Sequence, residues 1–151
     1  MLHVALWEPE IPPNTGNVAR LCAATNSPLH LIGRIGFRLD EKSLQRAGLD
    51  YWPWVKLVFH PTFDDFEKTL SPEKIVCIET PAPQTYLQFP FEEGQCLLFG
   101  SESKGLPESI RKRYANKMLS IPILNPQVRS LNLANSVGIV LFHALAKLGS
   151  I

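Results

Sequence analysis

The strongest constraint on this chain is that its short apolar runs leave no polar face. Residues 75–78 read Ile-Val-Cys-Ile, and residues 97–99 read Leu-Leu-Phe. A strand with one wet face alternates apolar and polar side chains, whereas one that is apolar at every position is covered on both sides. Strand-like runs fall at 2–7, 29–32, 55–59, 75–78, 95–99 and 118–123, and segments with helical character separate most of them. That order predicts an α/β fold, a mostly parallel six-stranded sheet with helices on both faces.

The expected helices carry their own end signals. Residues 14–25 place Val18, Leu21, Cys22 and Thr25 on one side, and Pro12-Pro13 enforces an extended entry. Thr62 is a cap, followed by Asp64 and Asp65 in the first turn of a helix reaching Leu70. A charged helix is expected over 40–47, stopped by Gly48. Pro107 opens another to about Tyr114, and residues 130–148 form the closing helix. The stretch 81–93, with three prolines, reads as a long loop. From 137 to 146 the closing helix is apolar almost all round, which suits either the core or an interface with a second copy. Leu141 and Leu145 are the positions where a charge would test the interface.

No linker or repeat divides the chain, so residues 1–151 are expected to form one domain, long enough to bury a core. Apolar residues make up 45% and charged residues 19%, which excludes a disordered chain. The formal net charge of +1 does not declare a nucleic-acid partner; an RNA site must come from local clustering or from two copies. Cys22, Cys77 and Cys96 lack C-x-x-C spacing and read as reduced core residues of a cytoplasmic protein. No leader and no membrane span is expected. His3, His30, His60 and His143 share no ligand spacing, so no metal is expected.

Three segments carry candidate chemistry. Residues 97–107 read as a strand breaking at Gly100 into a loop that ends at Gly105-Leu106-Pro107. The loop is neither a Walker A motif nor G-x-G-x-x-G, which argues against phosphate cradling; alone, it also suits a structural turn. Asn14, Asn17 and Arg20 recur in steps of three near one side of a helix, where Asn14 could serve as the cap. Arg129-Ser130-Leu131-Asn132 precedes the closing helix, and Ser130 and Asn132 suit capping or a ligand equally. Strand-end loops of this kind can present backbone groups to one ligand at the carboxyl edge of a sheet. Tyr51, Trp52 and Trp54, behind Arg46, suit either base stacking or a hydrophobic anchor.

In order and spacing, Pro12 to Arg20, Leu97 to Pro107 and Ile121 to Ser136 resemble the three motifs of the SPOUT RNA 2′-O-methyltransferases. Within them, the chain is most similar to the short TrmL-type enzymes of the tRNA wobble position, from Met1 to about Gly149. The resemblance implies a C-terminal deep trefoil knot, which chain pattern alone would argue against. It implies S-adenosylmethionine held bent by the loops after Ile78, Gly100 and Ile121, with Ile78, Thr80, Gly100, Ile121 and Ser130 as contacts. It puts Arg20, with Asn14, beside the ribose that is modified. A guanidinium is a poor base but can stabilise a developing alkoxide. Arg46 and Arg129 are the implied RNA contacts, the tRNA anticodon loop the implied partner, and a homodimer the implied assembly. Another tRNA or rRNA position, or a non-catalytic RNA-binding protein on the same fold, is the alternative.

Overall fold

The computed structural model describes residues 1–37 and 50–151; Arg46 and the helix expected at 40–47 lie outside the described residues. Among those described, strands β1 (His3–Trp7), β2 (Leu29–Ile32), β3 (Leu57–His60), β4 (Ile75–Ile78), β5 (Gln84–Thr85), β6 (Cys96–Phe99) and β7 (Met118–Ser120) form one sheet. Its order is β3-β2-β1-β6-β4-β7-β5, and every neighbouring pair is parallel. The helices are α1 (Pro12–Thr25), α2 (Phe63–Leu70), α3 (Glu108–Arg113) and α4 (Leu133–Lys147).

The sheet has seven strands, not the six expected. The additional strand, β5, lies inside the proline-rich stretch read as a loop. It is two residues long and has no apolar pattern to betray it. Its place at the edge comes from pairing with β7, reinforced by the Ser120 hydroxyl, 3.3 Å from both the Ala82 and the Gln84 carbonyl oxygens. The run at 118–123 stops pairing at Ser120; Pro122 has no N–H for a ladder.

Two helix starts also differ from expectation. Helix α1 begins at Pro12, because prolines at the first positions give up N–H groups that have no partner inside the helix. Asn14 therefore sits within the helix rather than capping it. Helix α4 begins after Asn132, whose side chain accepts the Asn135 N–H, so Ser130 lies ahead of the helix.

Both sheet faces are covered, as the unbroken apolar strands require. Val4, Leu6, Leu29 and Leu97 meet Val18 and Cys22 of α1 and Val137 and Leu141 of α4. Ala5, Ile75, Cys77 and Leu98 meet Phe66 of α2 and Ile110 of α3 on the other face. Leu141 and Leu145 are buried in the first layer, so they serve the subunit's own core; the helix instead exposes Ile139 and Phe142. All three cysteines are buried and unpaired.

The histidines are not scattered. His30 lies opposite Ala5, and His60 opposite Ile32, so His3, His30 and His60 run diagonally across one face. Nδ1 of His3 is 2.9 Å from Nε2 of His30, and Nδ1 of His30 is 2.8 Å from Nε2 of His60. Phe66 packs edge-on against the last two rings. Burial lowers all three pKa values, with that of His30 falling to about 3; the N-terminal ammonium also lowers His3, the flanking rings lower His30, and Asp65 partly opposes the fall at His60. The unfolded chain thus binds protons below about pH 6.5 that the folded chain refuses, and stability is lost as pH falls through that range. The urea midpoint should drop between pH 7 and pH 5, and His30→Gln should flatten that slope. An unchanged slope would place the acid sensitivity elsewhere.

Candidate functional site

A cleft of ≈ 870 Å³ opens beyond the carboxyl ends of β4, β6 and β7, where a parallel sheet of this type receives ligands. Ile78, Thr80, Gly100, Ile121 and Ser130, drawn from three separated segments, all line it, as does Arg129. Its volume lies within the range of small-molecule and cofactor sites, about 300–1,000 Å³.

The Gly100 loop closes on itself. Ser101 and Gly105 exchange backbone hydrogen bonds, 3.2 Å from Ser101 N–H to the Gly105 oxygen and 2.9 Å in return. A Cβ at Gly100 would lie 2.2 Å from the Gly105 carbonyl carbon and 2.4 Å from the Leu106 nitrogen. Glycine is needed here for close backbone approach within the loop, before any ligand is considered.

Glu102, which the sequence reading passed over, ties this loop to α1. Its carboxylate accepts the N–H groups of Glu10 at 2.9 Å and Ile11 at 2.7 Å, and the Asn14 side-chain amide at 3.2 Å. A carboxylate at a helix N-terminus satisfies orphan donors and complements the helix dipole. The oxygen of Asn14 accepts Nδ2 of Asn132 at 3.0 Å. Ser103 donates its N–H and hydroxyl to Glu10 at 2.9 and 2.7 Å. The only sequence signal for Glu102 was its place inside a glycine-bounded loop.

Asn14 and Arg20 therefore do different things. Asn14 is buried and bonded to two residues of the cleft wall, Glu102 and Asn132, whereas Asn17 and Arg20 are exposed. Asn17 and Arg20 line a second groove, ≈ 610 Å³, between α1 and α4, with Leu21, Ala24, Leu131, Ala134 and Ile139. Leu131 lines both cavities. The Arg20 guanidinium stands 5.3 Å from the centre of the Tyr51 ring, and the Tyr51 hydroxyl donates to the Gly16 carbonyl at 2.7 Å. Tyr51 and Trp52 pack against the core, while Trp54 is 69% exposed. Among the described residues, no group of three or more His, Cys, Asp or Glu could hold a metal ion, and no helix is long and apolar enough to cross a membrane.

The sequence profile of the SpoU rRNA methylase family matches residues 1–142. The chain belongs to that family. It is 43% identical over 150 residues to the tRNA (cytidine(34)-2′-O)-methyltransferase of Saccharophagus degradans, an alignment covering 99% of this chain and 97% of that one. A structure solved in a study of the 2-OH methylation of C/U34 on tRNA superposes with a TM-score of 0.90 at 45% identity, covering 100% of this chain and 98% of that chain. The SpoU methyltransferase AviRb from Streptomyces viridochromogenes, in complex with AdoMet, superposes with a TM-score of 0.86 at 23% identity, covering 99% of this chain and 58% of that one. At that identity the likeness shows a common fold. The SpoU family agrees with the resemblance read from the three motifs; the second and third contribute residues to the cleft, and the first is joined to it through the bonds of Asn14 to Glu102 and Asn132.

Proposed function

We propose that this chain is an S-adenosylmethionine-dependent methyltransferase acting on the ribose 2′-OH of nucleotide 34, cytidine or modified uridine, in a tRNA anticodon loop. The observation that carries this reading is the convergence of Ile78, Thr80, Gly100, Ile121 and Ser130 on one cleft. The cleft fits the cofactor: apolar side chains from Ile78, Phe99, Ile121 and Leu133 lie beside polar groups and exposed loop backbone. When bound, the cofactor would supply an electrophilic sulfonium methyl group: the ribose oxygen would attack it, the methyl–sulfur bond would break with its electron pair left on sulfur, and the hydroxyl proton would leave to an acceptor such as a phosphate of the substrate. Arg20 stabilises the negative charge growing on that oxygen and cannot itself take the proton. Asn14 fixes α1, the helix that bears Arg20, against the cleft through Asn132 and Glu102. Arg129, exposed at the cleft, and Arg46 meet RNA phosphates. The test is to incubate the protein with total tRNA and methyl-labelled cofactor and map the product. Label on the ribose of nucleotide 34 is expected; label on a base or at another nucleotide overturns the assignment.

The same reading carries a deep trefoil knot. Its support is the sheet order, in which β6 inserts between β1 and β4 and β7 beside β4, so the last third of the chain returns to the interior. Residues 1–151 act as one domain in the cytoplasm and need no metal, so chelator treatment should leave activity intact. The working form is a homodimer. Its support is the groove between α1 and α4, whose apolar lining continues to exposed Ile139 and Phe142; isologous dimers are the commonest assembly. Ile139→Glu should shift sedimentation toward monomer and lower activity. A fully active monomer of the unmodified protein at working concentration would overturn the dimer.

A further inference from the structure

Glu79 has no part in the reading above, yet it stands on the cleft wall directly after β4. Its Oε2 accepts the Leu106 N–H at 2.7 Å, while Arg111 Nε donates to the Leu106 carbonyl at 3.0 Å. Oε1 takes no hydrogen bond from the described residues. It packs so close to the loop that a Cβ at Gly105 would lie 2.4 Å from it. Burial raises the pKa of this carboxyl, against the pull of the Leu106 N–H and the Arg111 charge.

The charges around the cleft are unequal in reach. Glu102 also lines it, but both its oxygens are engaged by three N–H donors. Lys104 and Arg129 are exposed, where water and salt screen them. Glu79 is half-buried, and charge in a less polar wall acts more strongly across a few ångströms. Donor and product of the proposed reaction share the adenosine and the amino-acid end. They differ by one methyl group and by the positive charge on sulfur.

From this geometry we propose that the Glu79 carboxylate sets the cleft's preference for a cationic sulfonium ligand over its neutral thioether product. The inference rests on the methyltransferase reading and deepens it. Transfer of the methyl removes the charge, and the product then loses the attraction that held the donor.

The test is calorimetry with S-adenosylmethionine and S-adenosylhomocysteine on the wild type, Glu79→Gln and Glu79→Asp. Glutamine retains an acceptor for the Leu106 N–H and nearly the same volume, so the loop survives while the charge goes. In Glu79→Gln, affinity for the sulfonium ligand should fall about tenfold, with affinity for the thioether unchanged within about twofold. Glu79→Asp should keep most of the wild-type ratio. Equal losses for both ligands, or none for either, would overturn the proposal and leave Glu79 a support for Leu106. Failure of the wild type to bind either ligand would instead overturn the methyltransferase reading.

Discussion

Arg20→Ala should lose methyl transfer by on the order of 10²-fold or more in rate while binding the cofactor as the wild type does. The separation follows from where Arg20 stands. It is exposed on the groove side of α1 and lines no part of the cleft proposed to hold the cofactor. Its described contact is the Tyr51 face, worth about 0.5–1 kcal/mol at an exposed site, so the variant should fold. Arg20→Lys should not restore the full rate, because a point charge does not reproduce a planar fork of donors. Arg129→Ala, in contrast, should weaken tRNA binding and reduce its dependence on salt. Near wild-type turnover of Arg20→Ala at saturating tRNA and cofactor would move the charge-stabilising role to another residue.

Gly100→Val should cost more than any substitution of a polar residue on the cleft. The new side chain would meet backbone atoms of Gly105 and Leu106, which no rotamer can move aside. The Ser101–Gly105 pairing must open, and with it the Leu106 N–H bond to Glu79 and the position of Glu102. Forcing atoms into a packed site costs about 1–3 kcal/mol in stability. Cofactor affinity should fall by more than about tenfold in calorimetry, together with a lower melting temperature. Normal affinity with normal stability would mean the loop accommodates the side chain without consequence. From sequence alone Gly100 suited either a structural turn or a backbone approaching a ligand; the atoms that approach most closely belong to the loop itself.

The comparison of residues explains what was legible. Strands such as Ile75–Ile78 announced themselves because burial on both faces leaves no polar position, and Thr62 announced α2 because caps use few residue types. Strand β5 stayed hidden because its pairing depends on β7 and Ser120, far away in sequence. The five cleft residues were legible through the motif resemblance, and geometry then brought them together. Glu79 and Glu102 were missed for a common reason. Each acts on backbone N–H groups, at separations of 27 residues for Glu79 and 91 and 92 for Glu102, and backbone partners leave no signature in side-chain order. The file of His3, His30 and His60 was invisible because its spacing is set by strand register rather than by any local period.

The contacts of Glu102 have a thermodynamic consequence. One carboxylate joins a cleft loop to the start of α1, and through Asn14 to the cap of α4. The wall that would receive a small ligand and the helix that would face a polynucleotide thus rest on shared bonds. Any coupling between two occupants of such a frame is reciprocal: whatever factor the first contributes to the affinity of the second, the second returns to the first. Order of arrival can then differ between conditions, while the free energy of the filled ternary state is the same by either route.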